Sequence, residues 1–128
     1  MTDTEVQHCE MVRNLAKSPD EILNELDPYK CDLMHATMGV SSEAGEILDI
    51  AKKVVVYNQP LDVKKLDHFL EELGDIEFYL RQLYNVLGVT RDDALRGNMA
   101  KLAKRYPNYT YTDDRARERA DKHDTEPS

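Results

Sequence analysis

The stretch DVKKLDHFLEELGDIEFYLRQLYNVLG, residues 62–88, carries the clearest periodicity in the chain and decides the fold class. Leu66, Phe69, Leu73, Ile76, Leu80, Leu83 and Leu87 alternate steps of three and four, the spacing of a helix that buries one seam against other helices. Gly88 sits where a left-handed C′ residue belongs, so the helix is predicted from about Asp62 to Leu87. Upstream, Asn58-Gln59-Pro60 closes a segment that starts at Asp27-Pro28 and contains no further proline before Tyr57. That segment reads as one long helix, loosened near Gly39.

The same start and stop signals organise the rest. A first helix covers about Asp3 to Ala16, and Ser18-Pro19-Asp20-Glu21 then supplies an N-cap, a proline at the first helical position and a capping-box glutamate for a short helix to Leu26. Thr90 caps a last main helix with Asp92 and Asp93 in its first turn, and Tyr106-Pro107 stops it after Arg105. Beyond Tyr111 the charged tail has almost no large apolar side chain to offset its ordering entropy, so it is expected to be mobile or only partly helical. The division is a domain over 1–111 and a tail over 112–128. Helices joined by short turns predict an all-α antiparallel bundle of about four main helices.

Composition agrees. With 128 residues, 41% apolar and 33% charged, no Trp and five Gly, the chain suits one helical domain better than a β-sandwich. A net charge of −8 without a long Lys/Arg run excludes a nucleic-acid backbone as partner, while a small polyphosphate remains possible if divalent cations bridge it to carboxylates. Cys9 and Cys31 lie in no CxxC or zinc-spaced pattern and read as free thiols. The amino end MTDTEVQHCE lacks the regions of a signal peptide and no apolar run reaches membrane-spanning length, so a soluble cytoplasmic protein with no membrane partner is expected.

The chemistry resides in acidic pairs. In the long helix Leu33, Ala36, Val40, Glu43, Ile47, Ile50 and Val54 follow three-four stepping, so Glu43 occupies a position where the stripe predicts an apolar side chain. A carboxylate taken out of water needs a partner or a metal. Glu46 follows one turn later, about 60° around the helix. Glu72 and Asp75 repeat the geometry beside the Ile76 edge of the next helix, whereas Glu71 points away from the seam. Antiparallel packing would converge four carboxylates, whose repulsion a hard, oxygen-seeking ion such as Mg2+ relieves. Phosphate-ester or anhydride hydrolysis is the reaction class such a site suits. A single E-x-x-E on a charged helix reads as a solvated face. Two pairs and the stripe anomaly weigh against that, but helix geometry alone leaves both readings open and names no substrate.

The run from His35 through Met38-Gly39-Val40-Ser41-Ser42-Glu43-Ala44-Gly45-Glu46 to Lys52-Lys53, followed by Pro60-Leu61-Asp62 and Glu71-Glu72-Leu73-Gly74-Asp75, resembles the MazG-like nucleotide pyrophosphohydrolases. That family is marked by E-x-x-E and, after a linker, E-x-x-D, here Glu43/Glu46 and Glu72/Asp75. A third block, Asn98 to Pro107, is similar to the family's carboxyl-terminal element, so the likeness covers roughly residues 31 to 109. Val40-Ser41-Ser42 departs from more apolar or glycine-rich relatives, and the first thirty residues carry no family mark. The resemblance implies an all-α bundle completed as a homodimer or homotetramer, and Mg2+-dependent hydrolysis of NTPs or dNTPs to monophosphate and pyrophosphate, with Mn2+ as a substitute ion. Relatives with similar motifs include dimeric dUTPases, dCTP pyrophosphatases and phosphoribosyl-ATP pyrophosphatase.

On this reading Glu43, Glu46, Glu72 and Asp75 are the metal ligands, and Glu46 is the candidate base for the attacking water. Asn98, Lys101 and Arg105 share one face of the last helix and are candidate phosphate contacts, as is Lys53. The cations at the helix end serve equally to complement its dipole. His35 reads as a buried structural histidine ahead of a contact to a base or a carboxylate, and Tyr79 and Tyr84 as helix-packing residues or as stacking partners for a base. The rivals are a dedicated dUTP or dCTP pyrophosphatase and, from another class, a non-enzymatic helical interaction protein whose seam pairs with a partner chain.

Overall fold

A computed structural model describes residues 1–123. They form only helices and turns: α1 Asp3–Leu15, α2 Pro19–Glu25, α3 Pro28–Val55, α4 Val63–Leu87, α5 Arg91–Arg105, a 3-10 turn at Pro107–Tyr109, α6 Asp113–Glu118 and α7 Ala120–His123. The protein is all-α.

Local chemistry sets the boundaries. Asp27 accepts the Lys30 amide at 2.7 Å with Pro28 in the first turn of α3, and Asp62 accepts the Lys65 amide at 2.9 Å to start α4. Gly88 closes α4 at φ 65°, a left-handed conformation that favours glycine. Thr90 and Asp93 form a reciprocal capping box on α5, and Thr2 and Glu5 form one on α1. The box expected at Ser18 and Glu21 does not form: Pro19 occupies the first turn of α2, but Ser18 makes no side-chain cap bond. The start of α2 is exposed, so water can serve its free amides.

The long α3 is continuous, and the loosening expected at Gly39 is absent. Gly39 is buried because the Tyr79 ring lies where a Cβ would stand. The main tertiary contact pairs α3 with α4. Every position of the α3 stripe, Leu33 through Val54, is buried or half-buried, including Glu43.

On α4 the expected seam is turned inward at Phe69, Ile76, Leu80 and Leu83, and the buried face extends from it to Lys65, Glu72, Tyr79 and Val86. Leu66 and Leu73 are left 50% and 49% exposed, and Leu87 is exposed as well. The apolar surface of α4 is wider than one helix can cover, so α3 takes the edge that carries Glu72. Ala36 and Ile50 are the fully buried apolar residues among those described.

The described carboxyl-terminal elements make their main contacts with α5. The tail expected to be mobile or partly helical forms α6 and α7 in its described part, with Thr112 capping α6 through the Arg115 amide. Arg105 donates to both oxygens of Asp121, at 2.8 and 3.0 Å, and Asp121 is buried. Residues 124–128 lie outside the described chain.

Candidate metal centre

Each helix of the hairpin brings acids to one level. Glu43 reaches it from α3, while Glu72 and Asp75, three residues apart, reach it from successive turns of α4. Glu43, Glu72 and Asp75 each place an oxygen within 4.8 Å of the other two. Glu72 is buried, Glu43 half-buried and Asp75 exposed, so the cluster opens on one side to solvent. Glu71 is exposed, as its position on the wheel predicted.

Crowding changes the proton affinity of these acids. The Glu43 carboxyl is pushed above its ordinary range, first by a hydrogen bond shared with Glu72, then by desolvation, then by the charges of Asp75, Glu72 and Glu46. Glu46 thus adds charge to the site, but its exposed carboxylate stands outside the three-residue cluster. One turn before Glu72, His68 places Nε2 3.0 Å from Glu72 Oε1. The sequence reading missed His68. Its only signal was the i, i+4 spacing to Glu72, which is too common on charged helices to stand out.

The donor set is hard and all-oxygen, without a thiolate among the converging atoms, and so matches the preference of Mg2+ or Mn2+. The raised Glu43 carboxyl fits the same ion, since a divalent cation offsets the repulsion that a proton offsets in its absence. Next to the cluster, toward the α3–α4 turn, a cleft of about 750 Å³ has a mixed-charge lining, with Lys53, Lys64 and Lys65 set among Asp62, Asp67 and Glu71, and with Gln59 and His68 above Ile50. Lys53 pairs with Asp49 at 3.0 Å. Lys64 makes no ion pair with a described residue.

The other predicted residues lie apart from the acids. Asn98 and Lys101 are exposed on α5, which makes its main contacts with the carboxyl-terminal elements. Arg105 is held by Asp121, and this bidentate pair holds its pKa above the ordinary value. His35 is exposed, not the buried structural histidine expected, because two helices alone leave its flank of α3 open. Its ring meets Tyr79 edge-on at 5.9 Å, and its Nδ1 lies 3.4 Å from Gln82 Nε2, which donates to Asp32 at 2.6 Å. Tyr79 and Tyr84 are half-buried, consistent with packing.

Helical hairpin and acid cluster together define an all-α protein with a candidate carboxylate centre for a divalent cation. Residues 34–110 match the MazG nucleotide pyrophosphohydrolase domain, and the chain belongs to that family. It is also similar to the Gene 37 protein of Mycobacterium phage L5, with 35% identity over 74 residues, or 57% of this chain and 65% of that relative's length. No solved structure matches the chain. The acidic cluster agrees with the divalent-metal dependence general to the MazG family. No helix among the described residues is long and apolar enough to cross a membrane.

Proposed function

We propose that this protein hydrolyses nucleoside triphosphates, NTP or dNTP, to nucleoside monophosphate and pyrophosphate with Mg2+ as cofactor and Mn2+ as a working substitute. The observation that carries this reading is the convergence of Glu43, Glu72 and Asp75 within 4.8 Å, inside a chain of the MazG family. Glu43, Glu72 and Asp75 hold the ion, and Glu46 joins them from one turn along α3. When bound, the ion offsets charge on the phosphate oxygens and lowers the pKa of the attacking water.

Water oxygen attacks the α-phosphorus, the bond to the α,β-bridging oxygen breaks, and pyrophosphate leaves. Glu46 is the base that takes the water's proton: its side chain is exposed one turn from Glu43, at the open side of the cluster. Lys53, beside the cluster on the cleft wall, meets the phosphates. Asn98, Lys101 and Arg105 serve the same phosphates once α5 is brought over a hairpin, and Arg105 must first exchange Asp121 for phosphate. The protein acts in the cytoplasm, on free nucleotides and not on nucleic acid.

Assembly as a homodimer or homotetramer belongs to this reading. Leu66, Leu70 and Leu73 on α4, and Leu48 and Val55 on α3 with Val56 at its end, are exposed large apolar residues of the kind that a protein interface covers. A second copy of the chain covers them. The same surface favours the non-enzymatic interaction protein as the alternative, and a dedicated dUTP or dCTP pyrophosphatase is the alternative within the same chemistry.

A panel of common NTPs and dNTPs, assayed for pyrophosphate release with and without millimolar Mg2+, separates these outcomes. Metal-dependent release of pyrophosphate is expected. Release from dUTP or dCTP alone identifies the dedicated enzyme, and no release from any nucleotide sinks the enzymatic reading.

A further inference from the structure

We propose that His68 is a positioning residue for the metal centre: it holds the Glu72 carboxylate in the rotamer that a divalent cation requires. This rests on the metal-binding role of the acid cluster proposed above.

Glu72 is the acid with the least freedom to escape. Its side chain is 12% exposed, and it shares its surroundings with the oxygens of Glu43 and Asp75. Without a donor to hold it, a carboxylate so placed is free to swing toward water and away from the other two acids. His68 lies four residues earlier on the same helix, the spacing at which side chains of successive turns meet. Its Nε2 approaches Glu72 Oε1 at 3.0 Å, within hydrogen-bond distance. The imidazole donates through Nε2–H to one carboxylate oxygen and leaves the other for the ion, since an ionised carboxylate has two acceptor oxygens.

The environment of His68 argues against a packing role. Its side chain is 46% exposed and stands at the wall shared by the acid cluster and the neighbouring cleft. An exposed imidazole of this kind contributes little core, so its contact with a buried ligand is its main consequence. Groups that orient a metal ligand from outside typically change metal affinity about 10- to 100-fold when removed.

The test titrates Mn2+, followed by electron paramagnetic resonance, into the full chain and four variants. His68→Ala and His68→Phe, the second keeping a ring without the donor, are expected to weaken Mn2+ binding about 10- to 100-fold, with the metal-free melting temperature close to that of the parent. His68→Gln places an amide donor at the same spacing and is expected to recover most of the affinity. For nucleotide hydrolysis, the metal concentration giving half-maximal rate should rise in His68→Ala, while the rate at saturating metal returns close to the parent's. Glu72→Gln serves as the reference for loss of the ligand itself. Parent-like Mn2+ affinity in both His68→Ala and His68→Phe overturns the positioning role, provided Glu72→Gln has lost binding. A parent that binds no Mn2+ at millimolar concentration overturns instead the metal-centre reading on which the role depends.

Discussion

Two neighbouring glutamates, Glu71 and Glu72, have the same side chain and opposite fates. Glu72 is buried against Glu43, and Glu71 faces water. Glu72→Gln is therefore expected to reduce pyrophosphate release by more than the ~100-fold typical of groups outside the ligand shell, while Glu71→Gln stays close to the parent. Equal losses in the two variants would remove Glu72 from the centre. Glu43 allows a test of the same crowding through stability. A carboxyl with a raised folded-state pKa contributes stability that is full below its ordinary value of 4.5 and is lost as pH rises through the raised value. Metal-free Glu43→Gln should accordingly melt above the parent at pH 7 to 8, with the gap closing below about pH 4.5, and calorimetry across that range reads it. The variant should also lose activity, the trade expected where acids are packed for function. Glu43 was legible in the sequence because it interrupts an apolar stripe. The contribution of His68 was not, because a 3.0 Å contact depends on rotamers that spacing does not fix.

Between α3 and α4 the Tyr79 ring fills the place of a side chain at Gly39. Gly39→Ala forces the ring or the helices apart, and overpacking of this kind costs about 1–3 kcal/mol. Adding Tyr79→Ala should return part of that loss, a non-additivity that denaturant unfolding of both single variants and the double variant measures. The carboxyl-terminal helices depend on a different contact. Arg105 holds the Asp121 carboxyl below its ordinary range, so this pair contributes stability above the usual aspartate value of 3.8 and loses it as pH falls through the depressed value. Protection factors of the α7 amides, taken relative to unfolded-chain exchange at each pH, should thus be high at neutral pH, fall only in acid, and be low at neutral pH in Asp121→Asn. Unchanged protection in that variant would show that α7 is held by other contacts. The helix boundaries themselves were readable, because Asp27, Asp62, Gly88 and Thr90 act on the few amides and carbonyls next to them. Ser18 shows the limit of such reading, since its motif is present and its bond is not.

For the whole molecule, the exposed apolar edge of α4 has the largest consequence. Leu66→Glu combined with Leu73→Glu should dissociate the proposed homo-oligomer, shifting sedimentation toward the single-chain mass and lowering the melting temperature. A parent that already sediments as a single chain sinks that assembly. The sequence by itself determined that this protein is helical, where its main helices start and stop, and which acids recur at one-turn spacing, because those properties follow from local periodicity and from caps acting over a few residues. It also carried the motifs that place the chain in its family. Only the tertiary structure decided which edge of α4 faces α3, which three of the four predicted acids converge, that Arg105 is held by Asp121, and that His68 reaches Glu72. The physical reason is that α4 offers an apolar surface broader than one partner covers. The rotation that selects one edge is set by packing across the pair, down to a glycine and a tyrosine forty residues apart.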